Sequence, residues 1–325
     1  MEFLQNISFR IVFSLLLFHI TVNGQKNSIA KTFYKHDKYL SSDKLEGRFP
    51  GTKGNNEAAA YIKKYFKKYG LKKFDNNYYQ PFNLFVKEGI NKMKSDSVST
   101  QNVVGYLEGS DEKLKNEYIV IGAHYDHWGW GGQNSGSKKK EAFAIHNGAD
   151  DNASGVSALL CILEKLSKVK VKPKRSIIFI SFSGEEEGLL GSKYFVSHLP
   201  VQKEAVKVML NMDMVGRLNE EKQIYMGGAG TFPDGVALMK KLGETSNLNP
   251  VIHAGEVGGS DHVSFYKSGI SAVGFHTGGH PQYHTPEDDI DFINSQGGAL
   301  VAQYIYNALV AIANDPQQLY FIKQD

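Results

Sequence analysis

The stretch SIIFISF, Ser176–Phe182, and the residues directly after it, SGEEEG over 183–188, decide the fold of this chain. Five of the seven residues from Ser176 to Phe182 are Ile or Phe. A short apolar run without polar alternation reads as a strand covered on both faces, as in the middle of an α/β sheet. Working outward, Tyr118 to Ala123, Val206 to Met212 and Ala272 to Phe275 read as further apolar strands. Between and around them lie stretches with helical spacing: about Asn55 to Tyr69, Ala153 to Leu166, Leu189 to Leu199, Gly235 to Leu242 and Ala299 to Ile312. Strands alternating with helices predict an α/β fold with a largely parallel, two-sided sheet. A polar, hairpin-like region up to Ser99 is expected to add antiparallel strands and make the sheet mixed.

Composition narrows the function classes. The chain has 325 residues and a formal charge of +3, with lysines such as Lys63, Lys64, Lys67 and Lys68 spread over a helix face. Without interleaved basic and aromatic residues, that pattern is a solvated surface and not a nucleic-acid site. The single cysteine, Cys161, lies in an apolar helical stretch; it reads as core and excludes an internal disulfide. At the N-terminus Arg10 precedes the apolar run Ile11 to Ile20, and Val22-Asn23-Gly24 supplies small residues before Gln25. This is read as a cleaved signal peptide over residues 1–24, since the run is too short to span a bilayer comfortably. Residues 25–325 are then expected to form one exported domain, periplasmic or extracellular, free of the membrane after cleavage. The loop Gly129 to Lys140, rich in Gly, Ser and Lys, is expected to be a mobile excursion near the site.

The chemistry-bearing residues lie just past the apolar runs, for three of them, or in nearby turns and loops, where an open α/β sheet places its ligand site. His124 and Asp126, in HYDH at 124–127, lie two apart at a strand end and so share a side of the sheet. Asp126 could supply the hydrogen bond that orients a metal-bound imidazole, although His-x-Asp taken alone reads as a surface strand end. Asp150 and Asp151 stand at a turn entering a helix, where one carboxylate could bridge two cations while Asn152 caps the helix. Glu185, Glu186 and Glu187 would repel one another without cations or protons; one suits a metal and its neighbour proton transfer. Asp213, amid Asn211-Met212 and Met214-Val215, is a lone acid in apolar surroundings, which calls for a partner. His284 sits in a loop after the strand Ala272 to Phe275. Two imidazoles and three carboxylates suit a pair of zinc ions, because two Zn²⁺ balance three carboxylates and a hydroxide. Calcium and magnesium prefer all-oxygen shells, whereas manganese or cobalt remain compatible.

In this order, these segments resemble the secreted di-zinc aminopeptidases of metallopeptidase family 28, the bacterial leucyl aminopeptidase type. The similarity runs from about Leu40, with LSSDKLEGRFPGTKGNNEAA, to the C-terminus. It implies a three-layer α/β/α sandwich around a mixed, mostly parallel sheet. It also implies two Zn²⁺ per chain, one on Asp151, Glu186 and His284, the other on His124, Asp151 and Asp213. By the same resemblance Asp151 bridges and its peptide bond to Asn152 is cis. Glu185 becomes the general base acting on a metal-bridging hydroxide, Asp126 the support of His124, and Tyr283 a substrate contact; Ser260, Asp261 and His262 lie near the pocket. The implied substrates are peptides with a free N-terminus.

Three other readings share parts of this pattern. A glutaminyl cyclase uses the scaffold with one zinc, yet such enzymes place Trp beside the final His, where this chain has Tyr283. A carboxypeptidase or dipeptidase would need a basic pocket, for which Arg217 is the candidate. A non-enzymatic binding domain on the same fold would lack ligands, and here all five stand beside Glu185.

Overall fold

In a computed structural model that describes residues 28–92, 94 and 96–324, the run Ser176–Phe182 is a strand in which every residue is buried. The expected leader, residues 1–24, lies outside the described residues. In chain order the strands are β1 (Tyr79–Val86), β2 (Asp96–Leu107), β3 (Tyr118–His124), β4 (Ser176–Phe182), β5 (Val206–Met212), β6 (Gln223–Gly227), β7 (Asn249–Ile252) and β8 (Ser271–His276). They form one eight-stranded sheet in the order β1-β2-β4-β3-β5-β8-β6-β7. Its centre, β4-β3-β5-β8, is parallel; β1 and β2 join antiparallel on one side, and β6 meets β8 antiparallel on the other. The sheet is therefore mixed, as the hairpin-like region predicts.

Alternation along the strands builds two cores. Ile177 and Phe179 of β4, with Ile121, Leu210 and Val273, face one layer of helices. That layer comprises α1 (28–40), α2 (Lys53–Lys68), α3 (Gly155–Ser167), α5 (Gly235–Thr245) and α7 (Ser295–Asn314). Ile178, Ile180 and Phe182, with Val120 and Met209, face the other way, against Phe195 of α4 (Leu190–Ser197) and Phe265 of α6 (His262–Lys267). This is the three-layer α/β/α sandwich. Cys161 is buried in the first core and is free. No helix among the described residues is long and apolar enough to cross a membrane.

Two boundaries shift for local reasons. Helix α2 starts at Lys53 because the Thr52 side chain accepts a hydrogen bond from the Asn55 N–H, at 3.3 Å. Helix α3 starts at Gly155, two residues later than its apolar periodicity suggests. Residues Ala149–Ser154 form a wide turn instead, with Asp151 and Asn152 outside helical geometry and a cis peptide bond between them. Asn152 closes this turn: its Oδ1 accepts from the Gly155 N–H at 2.9 Å, and its Nδ2 donates to the Met212 carbonyl at 2.9 Å. The helix entry is thereby pinned to the carboxyl end of β5.

Candidate metal centre

Parallel register brings the ends of β3, β4, β5 and β8 to one edge of the sheet. His124 is level with Phe182, and Met212 with Phe275. His124 therefore ends β3, the acidic triplet follows β4, Asp213 follows β5, and the turn before α3 delivers Asp151 among them. Asp213 is held there by its N–H, which donates to the Phe275 carbonyl at 3.0 Å. His284 arrives from the loop after β8, with a positive φ of 59°.

These side chains converge around Asp151. His124 Nε2 lies 3.3 Å from Asp151 Oδ1 and 3.5 Å from Asp213 Oδ1. On the other side His284 Nε2 lies 3.1 Å from Asp151 Oδ2 and 3.3 Å from Glu186 Oε2. Asp151 thus turns one oxygen toward each group. A cation with bonds of about 2.0–2.2 Å to N and O ligands sets tetrahedral neighbours roughly 3.4 Å apart, which is the spacing found in both groups. His124 Nε2 and Asp213 Oδ1 are buried and have no hydrogen-bond partner. Two such atoms facing each other are costly unless a cation lies between them. The residues fit a metal.

His127 was not singled out by its spacing in the sequence, yet it belongs to this centre. Its Nδ1 lies 2.6 Å from Glu186 Oε1 and 3.8 Å from Asp151 Oδ2, so His127, Asp151 and Glu186 also form a group able to hold an ion. Asp126 stands differently from the simple support of an imidazole. The nearer partner of His124 Nδ1 is the Asp126 main-chain carbonyl at 3.2 Å, with the carboxylate 3.7 Å away. The Asp126 carboxylate instead accepts the N–H groups of Glu185 and Glu186, at 3.2 and 3.4 Å. It therefore aims the acid pair.

Charge without solvent dominates the electrostatics. Burial opposes protonation of His124, but Asp213, Glu185, Asp126 and Asp151 hold its pKa well above the usual imidazole value. Burial likewise works against ionisation of Asp151, but His127, His124 and His284 keep its pKa well below the usual carboxylate range. Burial raises the Glu185 pKa far above an ordinary glutamate; Glu186, Asp213 and Asp261 add to the rise while His124 opposes it. As the carboxylate, Glu185 is therefore a stronger base than an ordinary glutamate beside the cluster. Glu187, raised to about 7 by burial and by its acidic neighbours, forms no part of the convergent groups.

A cleft of about 500 Å³ opens over the cluster and includes Asp151, Glu185, Asp213, Tyr283 and His284 in its lining. Ser260 and His262 line it too, and the fully buried Asp261 lies between them. Tyr283 stacks on His284, with ring centroids 3.8 Å apart. Arg217 lies outside the lining; its guanidinium reaches Asp288 at 3.3 Å and Gln282 at 2.7 Å, so it serves as a structural ion pair.

The model of Peptidase family M28 matches residues 102–309. "Aminopeptidase YwaD" of Bacillus subtilis is 31% identical over 241 residues, covering 69% of this chain and 48% of that protein. The chain thus spans about half or less of the length of the curated relatives it matches. Among solved structures, a zinc aminopeptidase from Bacillus subtilis superposes with a TM-score of 0.68 at 19% identity, covering 86% of this chain and 94% of that one. A glutaminyl cyclase from Bacteroides thetaiotaomicron superposes with a TM-score of 0.64 at 20% identity, covering 86% and 97%. At these identities the two structural likenesses speak to the fold alone, which they share.

Proposed function

This chain belongs to peptidase family M28, and on that premise we propose that it is a zinc-dependent aminopeptidase that removes N-terminal residues from peptides with a free N-terminus. The observation that carries the reading is the division of Asp151 between two ligand groups, Oδ1 toward His124 and Asp213, Oδ2 toward His284 and Glu186. In this reading one zinc is held by His124, Asp151 and Asp213, the other by Asp151, Glu186 and His284, with His127 orienting Glu186. When bound, the pair supplies Lewis acidity, lowering the pKa of a water and polarising the scissile carbonyl.

The remaining work falls to the chain. Glu185, held by the grip of Asp126 on its N–H, accepts the proton of the attacking water and delivers it to the leaving amine. Tyr283, in the lining beside His284, contacts the substrate at the reacting carbonyl. Burial of the ligands excludes bulk water and strengthens each charge interaction. The N-terminal residues 1–24 act as an export leader, and 25–325 form a single peptidase domain that works outside the cytoplasm. Tyr283, rather than Trp, beside the last histidine supports the aminopeptidase over the cyclase.

Metal binding tests the reading directly. Titration of metal-stripped protein with zinc should saturate at two equivalents per chain, and Asp213→Ala should lose one of them. Saturation at one equivalent in the unaltered chain would leave only the single-zinc chemistry of a cyclase.

A further inference from the structure

The turn that carries Asp151 is gripped on both of its chemical sides. Arg48 is fully buried and takes the carbonyls. Its Nε donates to Tyr125 O at 2.7 Å, Nη1 to Asn147 O at 2.7 Å and to Leu40 O, and Nη2 to Gly148 O at 3.1 Å. Asp288, also fully buried, takes the amides. The Asp150 N–H lies 3.2 and 3.1 Å from its two carboxylate oxygens, and the Asp151 N–H donates to Oδ2 at 3.0 Å. The Ala149 N–H donates to the main-chain carbonyl of Asp288 at 3.1 Å. Three successive amides therefore converge on one residue, while a guanidinium gathers the two carbonyls just before them.

Charge matches backbone polarity, a cation meeting carbonyls and an anion meeting N–H groups, and Asp288 Oδ1 also pairs with Arg217 Nη2 at 3.3 Å. Leaving any of these buried groups unpaired is costly. The turn has no slack of its own, since a Cβ on Gly148 would come within 2.1 Å of the Asp151 carbonyl oxygen. Each grip is also anchored to another ligand-bearing segment. Tyr125 lies between His124 and Asp126, and Asp288 stands four residues beyond His284. Asp150 adds a further tie, with Oδ1 accepting the Gly216 N–H at 2.7 Å, three residues after Asp213.

We propose that Arg48 and Asp288 are positioning residues that fix where Asp151 stands between the two ligand groups, and so set the affinity for metal. The inference rests on the two-cation reading above. Neither residue lines the cleft, so each acts through the turn and not on substrate.

The test compares metal-stripped wild type, Asp288→Asn and Arg48→Lys, each titrated with zinc against a competing chromophoric chelator below the melting temperature of the metal-free protein. Asn places an NH₂ against N–H donors, and Lys keeps the charge but loses the fork that spans several carbonyls. Zinc affinity should fall about 10–100-fold in folded Asp288→Asn, the range found when groups behind a ligand are removed. If that variant does not fold, Arg48→Lys carries the same test. Wild-type affinity in the folded variant, whatever its melting temperature, would overturn the inference while leaving the metal reading intact. Failure of the wild type to take up zinc would overturn both.

Discussion

At the scale of single residues, the division of labour between Glu185 and Glu186 is the most exposed part of the account. The two are adjacent, yet Glu186 reaches into the cluster through both oxygens, toward His284 and His127, while Glu185 stands over the cleft. Glu185→Gln should therefore keep its metal and lose turnover by about 10²–10⁴-fold, the usual contribution of a positioned general base. Metal analysis alongside steady-state rates checks this, and near-native kcat with bound metal would reassign the base. Three of the candidate ligands, His124, Glu186 and Asp213, were legible in the sequence because each follows an apolar run that has no local use for a charge, whereas Asp151 and His284 were singled out by the family resemblance. Asp213 between methionines is the clearest example. His127, Arg48 and Asp288 were not legible in the same way. His127 acts on another ligand, and the other two act on backbone groups, whose positions depend on long-range contacts that spacing does not encode.

Among elements, the packing of α1 on α2 carries a pH dependence. His36 of α1 hydrogen bonds through Nδ1 to Tyr61 Oη at 2.8 Å and packs edge-on against Tyr65, both on α2. Burial, with help from Lys35, lowers its pKa from 6.5 to about 4. The unfolded chain thus binds a proton below pH 6.5 that the folded chain refuses until about pH 4. Stability from this contact is complete above pH 6.5 and falls as pH drops toward 4, by up to roughly 3 kcal/mol for a shift of this size. In metal-stripped protein, His36→Gln should make the fall of unfolding free energy across that window shallower by about one proton. An unchanged slope in urea titrations would remove His36 as its source.

Helices α2, α3, α4, α5 and α7 and the central strands were readable at this scale because their periodicity spans two or more turns or an unbroken apolar run, whereas α1, over 28–40, was not read from the sequence. Strands β6 and β7 and helix α6 were not, being only five, four and six residues long. The stretch Gly129–Lys140, expected to be a mobile excursion, is tied to its neighbours at several points. Asn91, at the tip of the β1–β2 hairpin, accepts the Trp130 N–H and donates its own N–H to Gly131 O at 2.8 Å. Farther along, the Lys138 N–H donates to His284 O at 2.9 Å, and Lys139 pairs with Glu287. Glycine and serine in that loop mark tight turns and close approaches. The segment works as a strap between the hairpin and the loop of His284.

Over the whole molecule, one sheet edge gathers candidate ligands from five separate segments, and the hairpin, strap and Arg48–Asp288 clamp hold those segments together. Such a centre is organised to act on a substrate entering from the cleft, with the free N-terminus of a peptide as the proposed target. Zinc-loaded protein incubated with three versions of one peptide, having a free N-terminus, an acetylated N-terminus and an N-terminal Gln, tests this most directly when read by mass spectrometry. Stepwise loss of residues from unblocked peptides, none from the acetylated one, and arrest by a chelator with recovery on adding zinc is the predicted result. Loss of ammonia from the Gln peptide without residue loss from the others would contradict it.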